Sequence, residues 1–200
     1  MIKKKKNVDV EKFISSGQLI KDTDIKQLSA DFKKAGYKVA LTQGVWDLIH
    51  IGHARYLQKA KKLGDVLIVA VDTDEVVRHR KGPNRPIVPE EERVQMISHL
   101  KSVDVIVMKK SKTDHGKLIR LIKPDVFVVS KTTASANAEK KFIEEIEEEH
   151  KNFCKKIINL NAQATTSTTA RVRTLTISGM EELAEELHKM IDKFLHNKKS

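Results

Sequence analysis

The sequence predicts an α/β protein with a Rossmann-like, doubly wound, parallel five-stranded sheet and a C-terminal amphipathic helix. Five short apolar runs lack the alternation of a sheet with one wet face, so they indicate parallel strands covered on both sides. Helical stretches separate these runs, which is the βαβ pattern of doubly wound folds. Near the end of the chain, a capping motif precedes an apolar stripe at helical spacing.

The chain is expected to have three segments. Residues 1–21 are polar with a short apolar patch, and we expect a leader that packs loosely on the main body. Residues 22–177 form the main domain. Residues 178–200 form a helix that begins at a capping box of Ser178 and Glu181, and its apolar stripe either packs in the core or contacts a second copy. The stripe consists of Leu183, Leu187, Met190, Ile191 and Phe194.

The main domain starts with a helix from about 22 to 35, which Gly36 stops. Strands and helices then alternate, and Gly64 is expected to end the first of these helices while Pro89 opens the second. The predicted strands are 39–42, 66–71, 103–108, 125–129 and 156–160, and the predicted helices are 53–63, 89–100, 114–122 and 137–150.

The formal charge of +11 predicts an anionic partner: a phosphate compound, a nucleic acid or a membrane surface. Nucleic acid ranks second, because aromatic residues make up only 4% of the chain and no zinc-finger or RNA-recognition signature is present.

The basic start lacks the apolar stretch of a signal peptide, and no run reaches the roughly 18 apolar residues of a membrane span. With Cys154 as the only cysteine, we expect a cytoplasmic protein without membrane association.

The candidate site follows the strand at 39–42, where a loop leads into His50-Ile51-Gly52-His53 and then into a helix. The carboxyl end of such a strand is a ligand site in open α/β sheets, and a helix N-terminus attracts phosphate. The two imidazoles could hydrogen-bond phosphate oxygens as charge moves in the transition state. Two incidental histidines are the alternative, but the surrounding pattern argues against it. That pattern comprises Thr42, Gly44, Trp46, Asp47 and both histidines.

A second candidate element is the loop 81–87, which glycine and two prolines shape. As a mobile cationic arm, it would bring Lys81 and Arg85 to a triphosphate from the side opposite the histidine helix. By itself, the loop could also be a basic surface turn. Arg93, one turn into the next helix, could steady a phosphate or the loop, or be an ordinary surface arginine.

Three carboxylates lie near these motifs. Asp72 and Asp74 follow the second strand, a place suited to fixing the nucleotide or the arm, and Asp47 can orient a histidine or help hold a metal. Each of them could equally be a cap or turn residue, since Asp favours both. The basic stretch 109–112 directly follows the third strand and is interpreted as a surface turn.

Together, these motifs resemble the cytidylyltransferase-like superfamily of nucleotidyltransferases, which carry an HxGH signature at this position. The likeness runs from about Lys38 to Lys131 and resumes near Ser167. Within the superfamily, the chain is most similar to D-glycero-β-D-manno-heptose 1-phosphate adenylyltransferases. Glycerol-3-phosphate cytidylyltransferases share the first pieces of the likeness but not the last. The pieces are 63–69, 71–75, 81–87 and 89–93.

The resemblance implies an enzyme that transfers a nucleoside monophosphate from ATP or CTP, with ATP favoured, to a phosphorylated sugar such as heptose 1-phosphate. Pyrophosphate would be released with Mg²⁺ assisting, and relatives are commonly dimeric, so a homodimer is expected. The expected catalytic residues are His50, His53 and Lys81. The expected nucleotide-binding residues are Thr42, Gln43, Gly44, Trp46, Gly52, Asp72, Asp74, Arg93, Ser167, Thr168 and Thr169, and the acceptor-binding residues are Asp47, Ser130 and Lys131.

The chain departs from the family pattern after the fourth strand. Relatives usually carry a Gly-Gly-Asp there that touches the phosphorylated acceptor, whereas residues 129–132 read Val-Ser-Lys-Thr. Either the acceptor is different, with Lys131 binding its phosphate, or the protein is a catalytically weak, nucleotide-binding regulatory protein. A cytidylyltransferase that uses CTP and glycerol 3-phosphate is the other alternative.

Overall fold

The structure is a computed structural model that describes residues 11–114, 116–130, 136–160, 179–180 and 183–189. The chain divides into two compact units, 1–164 and 165–200. A short 3₁₀ helix at Glu11–Phe13 precedes the elements of the first unit. These are β1 (Gln18–Ile20), α1 (Ile25–Lys34), β2 (Val39–Gly44), α2 (Ile51–Lys61), β3 (Val66–Asp72), α3 (Asp74–Lys81), α4 (Glu90–Ser98), β4 (Val105–Lys109), α5 (Lys117–Ile122), β5 (Val126–Val129), α6 (Ala136–His150) and β6 (Lys156–Asn159).

The first unit contains a parallel sheet with the strand order β1-β4-β3-β2-β5-β6. The α/β fold class is therefore confirmed, but the predicted number of five strands was wrong. The sixth strand, β1, lies in the segment predicted as a loose leader and pairs with β4, with Gln18 opposite Val105. Phe13 from the same segment is buried against the ring of Phe32. Residues 11–20 of the expected leader thus belong to the sheet and to the core.

Helices cover both faces of this sheet because the side chains of each central strand alternate between two apolar clusters. In β3, Val66 and Ile68 join the cluster that includes α1 and α5, whereas Leu67 and Val69 join the cluster that includes α2 and α4. Burial on both faces explains why the strands are almost continuously apolar in the sequence. The doubly wound arrangement is as predicted.

The winding of the chain places a crevice at the carboxyl end of β2. The chain passes from β2 to β3 and β4 on one side, then crosses to β5 on the other side of β2. Ligands of open α/β sheets bind outside the carboxyl ends of the strands where the strand order reverses in this way. The histidine loop therefore follows the strand at this point.

One helix was not predicted, and it changes the interpretation of the cationic arm. Helix α3 begins after Thr73, whose Oγ1 accepts a hydrogen bond from the backbone N–H of Val76. It ends at Gly82, which has a φ of 94°. Lys81 is therefore the last residue of a helix, and only the residues from Gly82 onward form the loop.

Gly36, Gly64 and Pro89 were each predicted to lie at a helix end, and the structure gives each of them a different role. Gly36 has a φ of +90° and stops α1 as predicted. Gly64 does not end α2, which stops at Lys61; a Cβ on Gly64 would instead lie 2.9 Å from the backbone of β2 and its approach. Pro89 is the N-cap of α4. The requirement for glycine at position 64 is thus a close approach of two backbones.

In the second unit, residues 179–180 and 183–189 are helical, inside the segment predicted as a C-terminal helix. The apolar side chains of Met180, Leu183 and Leu187 are exposed. The predicted capping box and the stripe residues Met190, Ile191 and Phe194 lie outside the described residues. No helix in the described ranges is long and apolar enough to cross a membrane.

Candidate active site

The loop between β2 and α2 holds an unusual backbone. Trp46 and Leu48 both have a positive φ, of 59° and 46°, which costs energy for residues other than glycine. Trp46 is held in place because it is buried and its indole N–H donates a hydrogen bond to Ala70 O at 3.1 Å. The strained loop therefore has a rigid anchor on the adjacent strand.

The two histidines cap the helix that follows this loop. His50 is the N-cap of α2, and its Nδ1 accepts a hydrogen bond from the backbone N–H of Gly52 at 3.0 Å. The Nδ1 of His53 accepts a hydrogen bond from the backbone N–H of His50 at 3.2 Å. A backbone N–H can donate only to a ring nitrogen without a proton, so each neutral ring carries its proton on Nε2. The cap thus leaves both rings with Nε2–H donors.

The environment of His53 keeps that ring neutral. Burial and the nearby His50 lower the pKa of His53 to about 4, although the charge of Asp47 partly opposes this shift. The centroids of the two imidazole rings lie 4.1 Å apart. The ring centroids of Trp46 and His53 lie 5.8 Å apart, in an edge-to-face arrangement. Two donors next to a helix N-terminus form a site at which phosphate oxygens can bind.

Asp47 anchors the loop 82–89 to the histidine loop. Its carboxylate accepts hydrogen bonds from the backbone N–H groups of Ile87 and Val88, each at 3.0 Å, and lies 3.3 Å from the guanidinium of Arg85. Burial alone would raise the pKa of Asp47, but these hydrogen bonds and the Arg85 charge outweigh it and lower the pKa. The predicted acceptor-binding role stays a prediction, and the observed contacts of Asp47 are with the protein. They tie two loops of the site together.

Arg93 is buried and joins three segments around the site. Its Nε donates to Val88 O at 2.9 Å, and one terminal nitrogen donates to Val45 O. The other terminal nitrogen donates to Asp72 O at 2.9 Å and to the carboxylate of Asp74 at 2.6 Å. With these donors engaged, Arg93 steadies the loop, which is one of the predicted alternatives, and is not placed to bind a nucleotide phosphate.

Asp72 and Asp74 also point to protein partners. Asp72 is buried between Lys109 and Arg80, with its Oδ2 at 2.7 Å from Arg80. Asp74 is held by Arg93. Their expected role as nucleotide ligands stays a prediction, and the observed contacts match the alternative in which both carboxylates fix the elements of the arm.

Three cations gather at the end of α3 and the start of the loop. Lys81 is exposed and makes no hydrogen bond or ion pair within the described ranges. Partial burial and the positive charges of Arg80 and Arg85 lower the pKa of Lys81, with Asp72 and Asp47 partly compensating. Like charges brought together in this way favour the binding of an anion. This arrangement agrees with the predicted cationic character of the arm.

Residues at the end of β2 have mixed roles. Thr42 is fully buried, and its hydroxyl lies 2.8 Å from the hydroxyl of Tyr56, which in turn donates to Val128 O, so its side chain is structural. The Oε1 of Gln43 is buried and accepts no hydrogen bond from the described residues. Gly44 lies against the indole of Trp46, where a Cβ would be 3.1 Å from the ring.

The remaining predicted residues divide into described and undescribed ones. Gly52 lies in the first turn of α2, and Ser130 is exposed directly after β5. Lys131, Ser167, Thr168 and Thr169 lie outside the described residues.

Sequence reasoning missed three residues that shape the site: Tyr56, Arg80 and Lys109. Lys109 was interpreted as part of a surface turn, but it is the last residue of β4 and is buried beside Asp72. Its position at the end of an apolar run, in register with Asp72, was the signal that could have indicated burial.

Comparisons with known proteins agree with this geometry. Residues 41–178 match the cytidylyltransferase-like family. The chain is 43% identical over 112 residues to the bifunctional protein HldE of a Nitratiruptor species, covering 56% of this chain and 24% of that protein. It is 46% identical over 104 residues to HldE of Desulfatibacillum aliphaticivorans, covering 52% and 21%. The chain thus spans about a quarter or less of the length of these curated relatives.

Two solved structures are also similar. The lipopolysaccharide core biosynthesis protein from Thermoplasma volcanium has 31% sequence identity and a TM-score of 0.52, with 64% of this chain and 98% of that chain covered. Pantoate-beta-alanine ligase from Francisella tularensis has 16% identity and a TM-score of 0.50, with 74% and 68% covered, and shares the fold alone.

Proposed function

The chain belongs to the cytidylyltransferase-like family of nucleotidyltransferases, and we propose that it transfers an adenylyl group from ATP to a phosphorylated sugar such as heptose 1-phosphate. An oxygen of the acceptor phosphate attacks the α-phosphorus of ATP. The bond from the α-phosphorus to the oxygen that bridges to the β-phosphate breaks, and pyrophosphate leaves with the electron pair. The observation that carries this proposal is the pair of Nε2–H donors at the start of α2.

The protein needs to do little covalent chemistry in such a transfer. It must hold two anions together against their repulsion and stabilise the charge that moves to the leaving group. His50 and His53 donate hydrogen bonds to phosphate oxygens at the helix N-terminus, and Lys81 binds the phosphates from the end of α3. Because the histidine rings are fixed by the helix cap, their donors need no rearrangement as the reaction proceeds.

Two findings support ATP and a sugar phosphate over other substrates. The segment 81–93 resembles heptose 1-phosphate adenylyltransferases, and the similar curated proteins are named HldE. The similar solved structure is described as a lipopolysaccharide core biosynthesis protein, whose chemistry is consistent with a sugar acceptor.

The altered residues 129–132 favour one second candidate, a protein that binds the nucleotide but turns it over poorly.

Three further expectations stay predictions: Mg²⁺, a homodimer and a cytoplasmic location. Among the residues that the structure describes, no group of three acidic, histidine or cysteine side chains could hold a metal ion, and the carboxylates of Asp47, Asp72 and Asp74 are engaged by protein donors. These carboxylates are therefore not proposed as ligands of Mg²⁺. The ion would enter as a complex with the triphosphate.

The test is pyrophosphate release with Mg²⁺, in which ATP and CTP are each offered with a panel of sugar 1-phosphates and alcohol phosphates. The panel includes heptose 1-phosphate and glycerol 3-phosphate. We expect release with ATP and a sugar phosphate. The His53→Asn variant should lower kcat by about 10²–10³-fold, the usual effect of removing one donor to a developing charge.

The asparagine variant separates catalysis from folding. Its Oδ1 takes the place of Nδ1 and can still accept the N–H of His50, whereas the Nε2–H donor is lost. His99→Asn, at an exposed histidine, is the matched control and should keep wild-type activity. Full activity in His53→Asn would remove this histidine from the mechanism. Nucleotide binding without release across the panel would favour the second candidate.

A further inference from the structure

A buried lysine and a buried aspartate face each other at the carboxyl edge of the sheet. Lys109 and Asp72 are paired in register as the last residues of β4 and β3, and both are almost fully buried, at 4% and 1% exposure. Lys109 Nζ lies 3.2 Å from Asp72 Oδ1. That oxygen accepts no hydrogen bond within the described part of the chain, so the contact is one between charges.

The other oxygen of Asp72 binds an arginine that reaches the surface. Asp72 Oδ2 lies 2.7 Å from a terminal nitrogen of Arg80, whose side chain is 40% exposed. Arg80 precedes Lys81 in α3, and its charge adds to the effect of burial in lowering the pKa of Lys81. Arg80 is therefore fixed on its inner side and open to solvent next to the cation that we assign to the triphosphate.

The charges of this triad do not cancel. Asp72 carries one negative charge, and it contacts two positive charges, one inside the fold and one outside. Because Lys109 neutralises the carboxylate from within, the hydrogen bond that Asp72 accepts from Arg80 holds Arg80 in place without cancelling its positive charge. An aspartate alone would have formed a neutral pair with Arg80.

Stability is a poor explanation for such an arrangement. Burying an ion pair removes two charges from water, and replacing such a pair with apolar residues of similar volume is often neutral or stabilising. The pair is instead joined to α3, because Asp72 accepts a hydrogen bond from Arg80, which precedes Lys81 in that helix.

We propose that Lys109 is an electrostatic positioning residue, which neutralises Asp72 so that Arg80 is held rigidly while its positive charge remains available to the triphosphate beside Lys81. The inference rests on the proposed function, since it takes the bound anion to be the triphosphate of a nucleotide. Arg80 is the residue that contacts the anion. Lys109 acts through Asp72 and does not touch the ligand.

The test measures the Kd of the full chain for Mg²⁺–ATP, for adenosine and for inorganic triphosphate by isothermal titration calorimetry. Lys109→Met keeps the length of the side chain but makes the Asp72–Arg80 pair neutral. We expect Mg²⁺–ATP and triphosphate to bind about tenfold more weakly, the effect of one unit charge roughly 10 Å away at an effective dielectric constant of about 20. Adenosine has no phosphate, so its affinity should not change.

A double variant and a surface control separate charge from structure. Asp72→Asn combined with Lys109→Met restores the net charge of the triad, and the asparagine oxygen can still accept a hydrogen bond from Arg80. Its affinity for Mg²⁺–ATP should return to within about threefold of the wild type. Lys112→Met makes the same substitution at an exposed lysine paired with Glu75 and should bind like the wild type.

The outcomes distinguish this inference from the proposed function. Equal weakening of Mg²⁺–ATP and adenosine in Lys109→Met, or no rescue by the double variant, would show a structural role and overturn the inference alone. Weaker binding of inorganic triphosphate with no turnover of any nucleotide would support the inference and contradict the proposed function. Failure of the wild type to bind either polyphosphate would contradict both.

Discussion

At the scale of single residues, the nitrogen atoms of the two histidines have separate tasks. In each ring, Nδ1 accepts a backbone N–H and so completes the helix cap. Nε2 carries the proton, and we propose that it donates to the ligand. The proposed catalytic contribution of such an imidazole is therefore electrostatic stabilisation by a hydrogen-bond donor, without a role as a general base.

The depressed pKa of His53 predicts how stability depends on pH. The unfolded chain protonates this imidazole below about pH 6.5, whereas the folded protein does so only near pH 4. The unfolded state binds more protons between these values, so the stability linked to His53 is fully present above pH 6.5 and is lost as the pH falls toward 4. The free energy of unfolding from urea titrations at several pH values measures this loss.

The His53→Asn variant is the comparison for that measurement. Because asparagine does not titrate, its free energy of unfolding should fall less than that of the wild type between pH 6.5 and 4. An NMR titration of the ring checks the pKa directly. A midpoint for His53 near pH 6.5 would contradict the buried, neutral ring.

The sequence placed the histidines at a helix start after a strand, but it could not decide between the alternative roles of Arg93 and Asp72. A helix start after a strand is a local pattern, so it can be recognised within a few residues. The contacts of Arg93 instead join residues 48, 21 and 19 positions away. When the partners of a charged side chain are distant in the sequence, the local sequence pattern is the same for a buried and an exposed position. Only the folded structure shows which of the two applies.

At the scale of elements, helix α3, the loop 82–89 and helix α4 are joined into one wall of the site. Asp47 binds the loop, and Arg93 reaches from α4 to the histidine loop and to the end of β3. A loop with these contacts is anchored near Val88. The cationic arm therefore extends from a fixed base.

Arg93→Met should destabilise this wall. The substitution leaves the buried carbonyl groups of Val45 and Asp72 without their donors and Asp74 without its partner, at a cost of about 3–5 kcal/mol in the free energy of unfolding. Urea denaturation measures this cost. Arg78→Met, on the exposed side of α3, is the control and should change the value by less than about 0.5 kcal/mol.

Rescue of Arg93 by lysine is a sharper check. A single ammonium group cannot span the acceptors that the planar guanidinium reaches, so Arg93→Lys should recover little of the lost stability. Full stability in Arg93→Lys would indicate that the charge of this residue matters and that its geometry does not.

The elements that the sequence predicted well are those with long apolar patterns. The central strands β2, β3 and β4 were placed to within a few residues, because burial on both faces gives continuous apolar runs. Strand β1 has three residues at the edge of the sheet, and α3 has only Val76 and Val77 in its buried face. Such short patterns cannot be distinguished from loops without their tertiary contacts.

At the scale of the whole molecule, the segment 11–20 is part of the folded unit, and this predicts its contribution to stability. Phe13 is 6% exposed and contacts Phe32, so Phe13→Ala should reduce the free energy of unfolding by about 3 kcal/mol. Leu19→Ala, at a 51% exposed position on β1, is the control and should cost much less. Thermal and urea unfolding of both variants measure the difference, and equal small effects would mean that the segment is a loose leader.

The tryptophan next to the histidines has a consequence for observing this protein at work. Trp46 is the only tryptophan in the chain, its indole is buried, and its ring edge contacts His53. Its fluorescence should therefore be that of an indole in an apolar environment, without background from any other position. Any ligand that engages His53 would change this emission, so the site contains its own optical reporter, and rapid mixing could follow nucleotide binding in real time without a label.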